Sequence, residues 1–129
     1  MPEWLNKRDV LHFQQALIDE FGGLHGVRDE RALESTLARP LNRVAYGEGV
    51  PLHELAASYG YGFARNHVFN DGNKRISLVA IDVFLILNGS QLLASEVEAT
   101  STILRLASGE LTENELAAWI EEKSGPTDL

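Results

Sequence analysis

The sequence predicts an all-α domain: six or seven helices in a compact bundle with a central buried helix. Three observations predict it. Turn residues cut the chain into helix-length pieces, each with apolar residues at three- to four-residue spacing. No alternating Val/Ile/Thr/Tyr run bounded by turns marks a strand. One piece, residues 76–87, carries ten apolar residues in twelve and stops at Asn88-Gly89. It is too short to cross a bilayer, and its all-round apolarity suits the middle of a core.

The elements follow in order. Asn6 caps a first helix over 7–21, with Val10, Phe13, Leu17 and Phe21 as its apolar stripe and Gly22-Gly23 as its stop. Residues 22–26 form a loop. Asp29 caps a second helix, where Leu33 and Leu37 pair at i, i+4. Pro40 either kinks that helix or starts another, and the helical pattern runs on to Tyr46 before Gly47 and Gly49. A third helix spans about 51–66, with Pro51 in its first turn and Leu55, Tyr59 and Phe63 stacked along one side. Asn70-Asp71-Gly72 is a turn, and the apolar helix follows over about 73–87. Ser95 with Glu98, and Thr112 with Glu115, have capping-box spacing and open the last two helices.

With 129 residues and 14.2 kDa, the chain reads as one domain over 1–124, large enough for a core without staples. Residues 125–129, which include Gly125 and Pro126, are expected to fray. The 44% hydrophobic and 23% charged content is ordinary for a globular protein and argues against disorder. Cysteine is absent, which excludes a disulfide scaffold, a thiol nucleophile and any thiolate metal site. A net charge of −8 argues against direct nucleic-acid binding, because phosphates would be repelled. The first residues show no apolar targeting run, so the protein is expected to be cytoplasmic and to need no membrane.

One segment concentrates chemistry: His67-Val68-Phe69-Asn70-Asp71-Gly72-Asn73-Lys74-Arg75. It precedes the apolar helix, whose first N–H groups lack intrahelical partners and carry partial positive charge. A glycine turn feeding such an end suits a phosphate. Lys74 and Arg75 are unfavourable there for the helix dipole, and a bound anion would account for them. His67 has the pKa range to take a proton from a hydroxyl. Asp71 is a hard ligand for a Mg²⁺ shared with substrate phosphates. Gly72 permits close backbone approach. Asn73, Lys74 and Arg75 bring donors and charge for phosphate oxygens.

The segment closely resembles the central motif of the Fic/Doc family, H-x-F-x-[D/E]-[A/G]-N-[G/K]-R. The resemblance extends over about residues 5–120. Phe21-Gly22-Gly23-Leu24-His25-Gly26 is similar to the family's early glycine loop, and Arg43-Val44-Ala45-Tyr46 and Asn88-Gly89 also look Doc-like. Lys74 in place of glycine is similar to the Doc branch, the death-on-curing toxins of type II toxin–antitoxin pairs. The resemblance implies a single Fic/Doc domain, with ATP and Mg²⁺ as cofactors. It implies a protein kinase acting on a Thr/Ser hydroxyl, for which the family's target is elongation factor Tu, so that translation stops. Its catalytic residues would be His67, Asp71, Lys74 and Arg75, with Asp71 on the metal. Nucleotide binding would fall to Asn70, Gly72, Asn73, Lys74, Arg75 and Arg65. The alternatives are AMP transfer, as in most Fic proteins, and a catalytically silent binding module. AMP-transferring members have glycine where Lys74 stands and a second arginine where this chain has Leu78. No S/T-x-x-x-E-[G/N] self-inhibitory helix is visible, so the implied restraint is a small cognate antitoxin whose disordered tail folds into a groove.

Plainer roles compete at several positions. Phe69 is expected to plug the core and Asn70 to serve only the turn. Arg65 either reaches the substrate or is merely solvated. His12, His25 and His53 have no ligand spacing, and Trp4 and Tyr46 are expected to pack. Asp82, inside the apolar helix, needs a partner.

Overall fold

In a computed structural model the described residues are 1–128. Six helices are formed: α1 Lys7–Phe21, α2 Glu30–Tyr46, α3 Leu52–Arg65, α4 Asn73–Leu87, α5 Glu96–Ser108 and α6 Glu113–Lys123. Two short strands, β1 Ser90–Leu92 and β2 Ser124–Pro126, pair antiparallel.

Local chemistry accounts for the helix starts. Asn6, Asp29, Ser95 and Thr112 each accept a backbone N–H of the helix they cap. The box at Thr112 and Glu115 is complete. That at Ser95 is half made, because the Glu98 carboxylate turns away to Trp119 Nε1 at 3.3 Å and Lys123 Nζ at 3.1 Å. Pro51 caps α3 from outside its first turn.

The innermost helix is α3, and not the apolar α4. Nine consecutive or near-consecutive α3 residues are buried, from Leu55 to Ala64, whereas α4 leaves Ile86 and Leu87 exposed. The reason is size. Ala56, Ala57, Ser58, Gly60, Gly62 and Ala64 let three helices approach on different sides. A Cβ at Gly60 would lie 2.5 Å from Ile81 Cδ1 of α4 and 3.4 Å from Leu116 of α6. One at Gly62 would lie 2.6 Å from Thr36 Cγ2 of α2. Ser77 Oγ of α4 donates to the Gly60 carbonyl at 2.6 Å. Tyr59, Phe63, Phe84 and Ile81 fill the centre, and Trp4 stacks on Phe84 at 6.0 Å.

Other expectations change for tertiary reasons. The buried line of α1 is Val10, Gln14 and Ile18, and Phe21 of the expected stripe is exposed. α2 continues through Pro40, which is buried with Leu33 and Thr36 on the face toward α3. Arg43 of α2 pairs with Glu54 of α3 at 2.7 Å and Glu113 of α6 at 3.2 Å, and Arg39 also bonds Glu113. Tyr46 is 91% exposed and packs nothing. Gly125 and Pro126, placed by sequence in a fraying tail, pair with Gln91 and Ser90, and Thr127 N–H donates to Gly89 O at 3.1 Å. The extended backbone after the Asn88-Gly89 turn needs partners, and the tail supplies them. Residue 129 lies outside the described residues.

Asp82 is half-buried and has no hydrogen-bond or ion-pair partner among the described residues, contrary to expectation. Desolvation alone pushes its carboxyl above the usual carboxylate range. The folded chain therefore holds this proton to higher pH than the unfolded chain does. Stability falls as pH rises from the ordinary carboxylate range through the folded value. Asp82→Asn is thus expected to raise the urea midpoint at pH 7. The gain should shrink as the pH is lowered to about 4, the ordinary aspartate range, in urea titrations of both proteins.

Candidate active site

The motif loop leaves α3 and enters α4. His67 turns the chain with a left-handed φ of 50°, a conformation that costs a non-glycine residue energy and fixes the loop's exit. Val68 and Phe69 then plunge inward, and Phe69 stacks on Phe63 of α3 at 6.3 Å. Gly72, at φ 81°, ψ 13°, is the N-cap of α4 and brings no side-chain acceptor. The first α4 amides therefore face outward without a side-chain cap.

A second loop, residues 22–29, lies against the first. Val27 and Phe69 form an isolated antiparallel bridge. Arg28 and Asp29 N–H groups donate to Val68 O at 2.9 and 3.2 Å, and Asn70 N–H donates to Gly26 O at 3.1 Å. Asn70 Nδ2 donates to His25 O at 3.1 Å. Leu24 N–H donates to Asp71 Oδ2 at 2.7 Å. The early glycine loop and the motif, far apart in sequence, thus form one structure.

Between the motif loop and α5 is a cleft of ≈ 330 Å³. His67, Asn70, Asp71, Gly72, Asn73, Lys74 and Arg75 line it, with Ala64 and Ala107 as its apolar walls. Seven of the eight residues assigned to the site by sequence are brought together. Arg65 is not among them: its guanidinium lies over the Tyr61 ring, 5.6 Å from the centroid, in a neighbouring depression beside Gly109 and Thr112.

The residues divide by what their polar atoms are bonded to. Asn73, assigned by sequence to phosphate, spends its carboxamide on the loop itself: Oδ1 accepts from Phe69 N at 2.9 Å and Nδ2 donates to Phe69 O at 3.0 Å. Asn70 is tied to the glycine loop. His67, Lys74 and Arg75 remain exposed to the cleft, and neither cation has a carboxylate partner among the described residues. The Arg75 guanidinium rests on the Phe21 ring, 4.2 Å from its centroid. Within an acidic protein this is a local positive site at an uncapped helix start, suited to a polyanion.

No group of three or more His, Asp or Glu side chains able to hold a metal by themselves occurs among the described residues. Mg²⁺ is ordinarily held by one or two carboxylates with waters and substrate phosphates, and Asp71 beside the cationic cleft fits that donor set. Its Oδ2 is bonded to Leu24, which leaves Oδ1 for a cation.

Comparison with known proteins adds a family to this geometry. Residues 4–85 match the model of the Fic/DOC family. The chain belongs to the Fic/Doc family. It is 33% identical to "Protein kinase doc" of Escherichia phage P1 over 124 residues, which covers 96% of this chain and 98% of that protein. It is 41% identical to "Toxin Doc" of Mycolicibacterium smegmatis over 95 residues, 73% of this chain and 71% of that protein. No helix among the described residues is long and apolar enough to cross a membrane.

Sequence reasoning missed the supports of this Fic/Doc site. Gln14 is buried, and its Nε2 faces the carbonyls of Leu24 and Asp71. The signal was available as a polar residue on the i, i+4, i+8 line of Val10 and Ile18. Phe21, read as core, instead carries Arg75. For Asn73 the geometry sets a clear expectation. Asn73→Ala removes both bonds to Phe69 and is expected to destabilise the fold by about 1–3 kcal/mol, at roughly 1 kcal/mol per hydrogen bond, measured by urea unfolding.

Proposed function

We propose that this Fic/Doc chain is a Doc-type toxin: a Mg²⁺-ATP-dependent protein kinase that phosphorylates a Thr/Ser hydroxyl of elongation factor Tu and so arrests translation. The observation that carries the reading is the uncapped start of α4, with Lys74 and Arg75 beside it lacking a carboxylate partner among the described residues and Asp71 lining the same cleft. The naming of the phage P1 relative, aligned over nearly the whole of both chains, supports a kinase over AMP transfer. Lys74 at the glycine position of AMP-transferring members, and Leu78 at their second arginine, support the same choice.

On this reading the α4 amides, Lys74 and Arg75 bind the nucleotide phosphates and neutralise charge that develops on transfer. His67, exposed on the cleft rim, orients the acceptor hydroxyl and takes its proton as the oxygen attacks the γ-phosphorus. The oxygen–phosphorus bond to ADP breaks, and ADP leaves. Asp71 would hold Mg²⁺, which would supply neutralisation of phosphate charge. Asn73 and Asn70 keep the loop in shape, and Ala64 and Ala107 leave the space open.

Incubation of the protein and elongation factor Tu with ATP labelled at either the α- or the γ-phosphate tests the assignment. Label is expected from the γ position only, and His67→Ala should slow its transfer by roughly 10²–10⁴-fold, the usual worth of a general base. Transfer from the α position would establish AMP transfer instead. No transfer by the parent, with undiminished toxicity of His67→Ala and Asp71→Ala in cells, would establish a silent binding module.

The partner in this reading is a small cognate antitoxin. A groove of ≈ 400 Å³ adjoins the cleft between α1, α4 and α5, lined by Phe21, Lys74, Arg75, Leu78, Glu96, Thr100, Ile103 and Leu104. Its apolar edge continues to Val97, and Leu104 is 51% exposed. An amphipathic helix with acidic residues toward Arg75 fits this mixture. Lys74 and Arg75 line both cleft and groove, so an occupant of the groove meets the phosphate-binding cations. Leu104→Glu is expected to weaken antitoxin binding by at least about 30-fold, the scale of a ~2 kcal/mol hot spot, in calorimetric titrations. Kinase turnover should be unchanged.

A further inference from the structure

Gln14 occupies a position that its spacing assigns to an apolar residue. It lies on α1 between buried Val10 and Ile18 and is itself only 3% exposed. A buried carboxamide is costly unless bonded. Both atoms facing it are carbonyl oxygens, Leu24 O at 3.5 Å and Asp71 O at 3.3 Å, so the nitrogen end must point toward them. Those carbonyls belong to two different loops. Leu24 and Asp71 are also joined to each other, because Leu24 N–H donates to Asp71 Oδ2 at 2.7 Å. The three residues form a closed ring: Gln14 holds the main-chain oxygen of each loop residue, and the loop residues hold one another.

The ring restricts the one carboxylate of the cleft. One oxygen of Asp71 is occupied by Leu24. The flank of the side chain is walled by Gly23, where a Cβ would stand 3.0 Å from Asp71 Cβ and 3.2 Å from its Oδ2. Ile18 Cδ1 lies 3.2 Å from the same Cβ position and 3.4 Å from that of Gly72, so the buried face of α1 supports both glycine turns. The free oxygen, Oδ1, is thereby fixed relative to the start of α4.

We propose that Gln14 is a positioning residue for the active site: it pins the 22–28 loop to the motif loop and so holds Asp71 in the orientation in which Oδ1 receives a divalent cation. The proposal rests on the reading of Asp71 as the Mg²⁺ ligand. Outer residues that orient a ligand commonly change metal affinity by 10–100-fold. A residue that merely filled the α1 seam would change stability and nothing else.

Gln14→Met keeps length and volume and removes the donor. ATP affinity is measured by calorimetry in EDTA and again in excess Mg²⁺, for parent and variant, and the ratio gives the tightening due to the metal. Backbone exchange of the Leu24 amide is followed by NMR. In Gln14→Met the tightening is expected to fall about tenfold, with ATP affinity in EDTA unchanged and Leu24 exchange accelerated. The same tightening and the same exchange as the parent would overturn the proposal. If Gln14→Met fails to unfold cooperatively, Leu24→Pro replaces it: this removes the N–H bonded to Asp71 without touching α1, and must lower the tightening likewise or the proposal fails. Absence of any tightening in the parent would refute Asp71 as metal ligand. Leu24 exchange would then still decide whether Gln14 pins the two loops.

Discussion

The close approach of α4 to α3 governs the rest of the molecule. It depends on one missing side chain, and the seat of α2 depends on another. Gly60 lets Ile81 lie on the α3 backbone, and Gly62 does the same for Thr36 of α2. The Ser77 hydroxyl closes the first contact by bonding the Gly60 carbonyl. A helix held that tightly cannot slide or rotate, because interiors packed to crystal density have no slack. The N-terminus of α4 is thereby fixed relative to the C-terminus of α3, and the nine-residue motif bridges from one to the first turn of the other. His67 takes its left-handed turn and Phe69 finds its place on Phe63 because both ends of the loop are already set.

Within the motif, construction and chemistry are shared out among neighbouring residues. Val68, Phe69 and Asn73 build the loop, and Asn70 joins it to the glycine loop. His67, Lys74, Arg75 and one oxygen of Asp71 are left facing the cleft. A loop that used all its polar atoms on itself would bind nothing, and one that used none would not hold its shape. The same economy places Arg75. Its guanidinium is supported by the exposed Phe21 ring and by no carboxylate among the described residues, so its charge is available to a ligand. The cleft and the apolar groove beside it share this arginine and Lys74, so an occupant of one surface would meet the cations of the other.

Much of the architecture was legible in the chain. Helix boundaries at Lys7, Phe21, Asn73 and Leu87 follow from caps, glycine stops and apolar spacing, all of which are local effects. Membership in the Fic/Doc family was legible as well, since a nine-residue motif and an early glycine loop are read directly from residue identity. Two features were not. The innermost helix was misplaced because hydropathy rewards large apolar side chains, whereas α3 is buried through small ones that admit its neighbours. The C-terminal pairing with β1 was hidden because Gly125 and Pro126 read as a breaker, and only a partner strand 35 residues away gives them bonds to make.

Most of the residues that line the candidate cleft were therefore named by sequence alone, together with its position at the head of an apolar helix. Which of its atoms are free was decided by tertiary structure. Asn73 and Arg65 are written into the sequence as polar groups beside the cleft, and the fold turns one back onto Phe69 and the other onto Tyr61. Gln14 is written as an interruption of a stripe, and the fold sets it under two loops at once. The physical reason is range. Caps and turns are satisfied within a few residues, but a buried polar atom must take whatever partner the packed chain brings to it, and that partner is named by the third dimension.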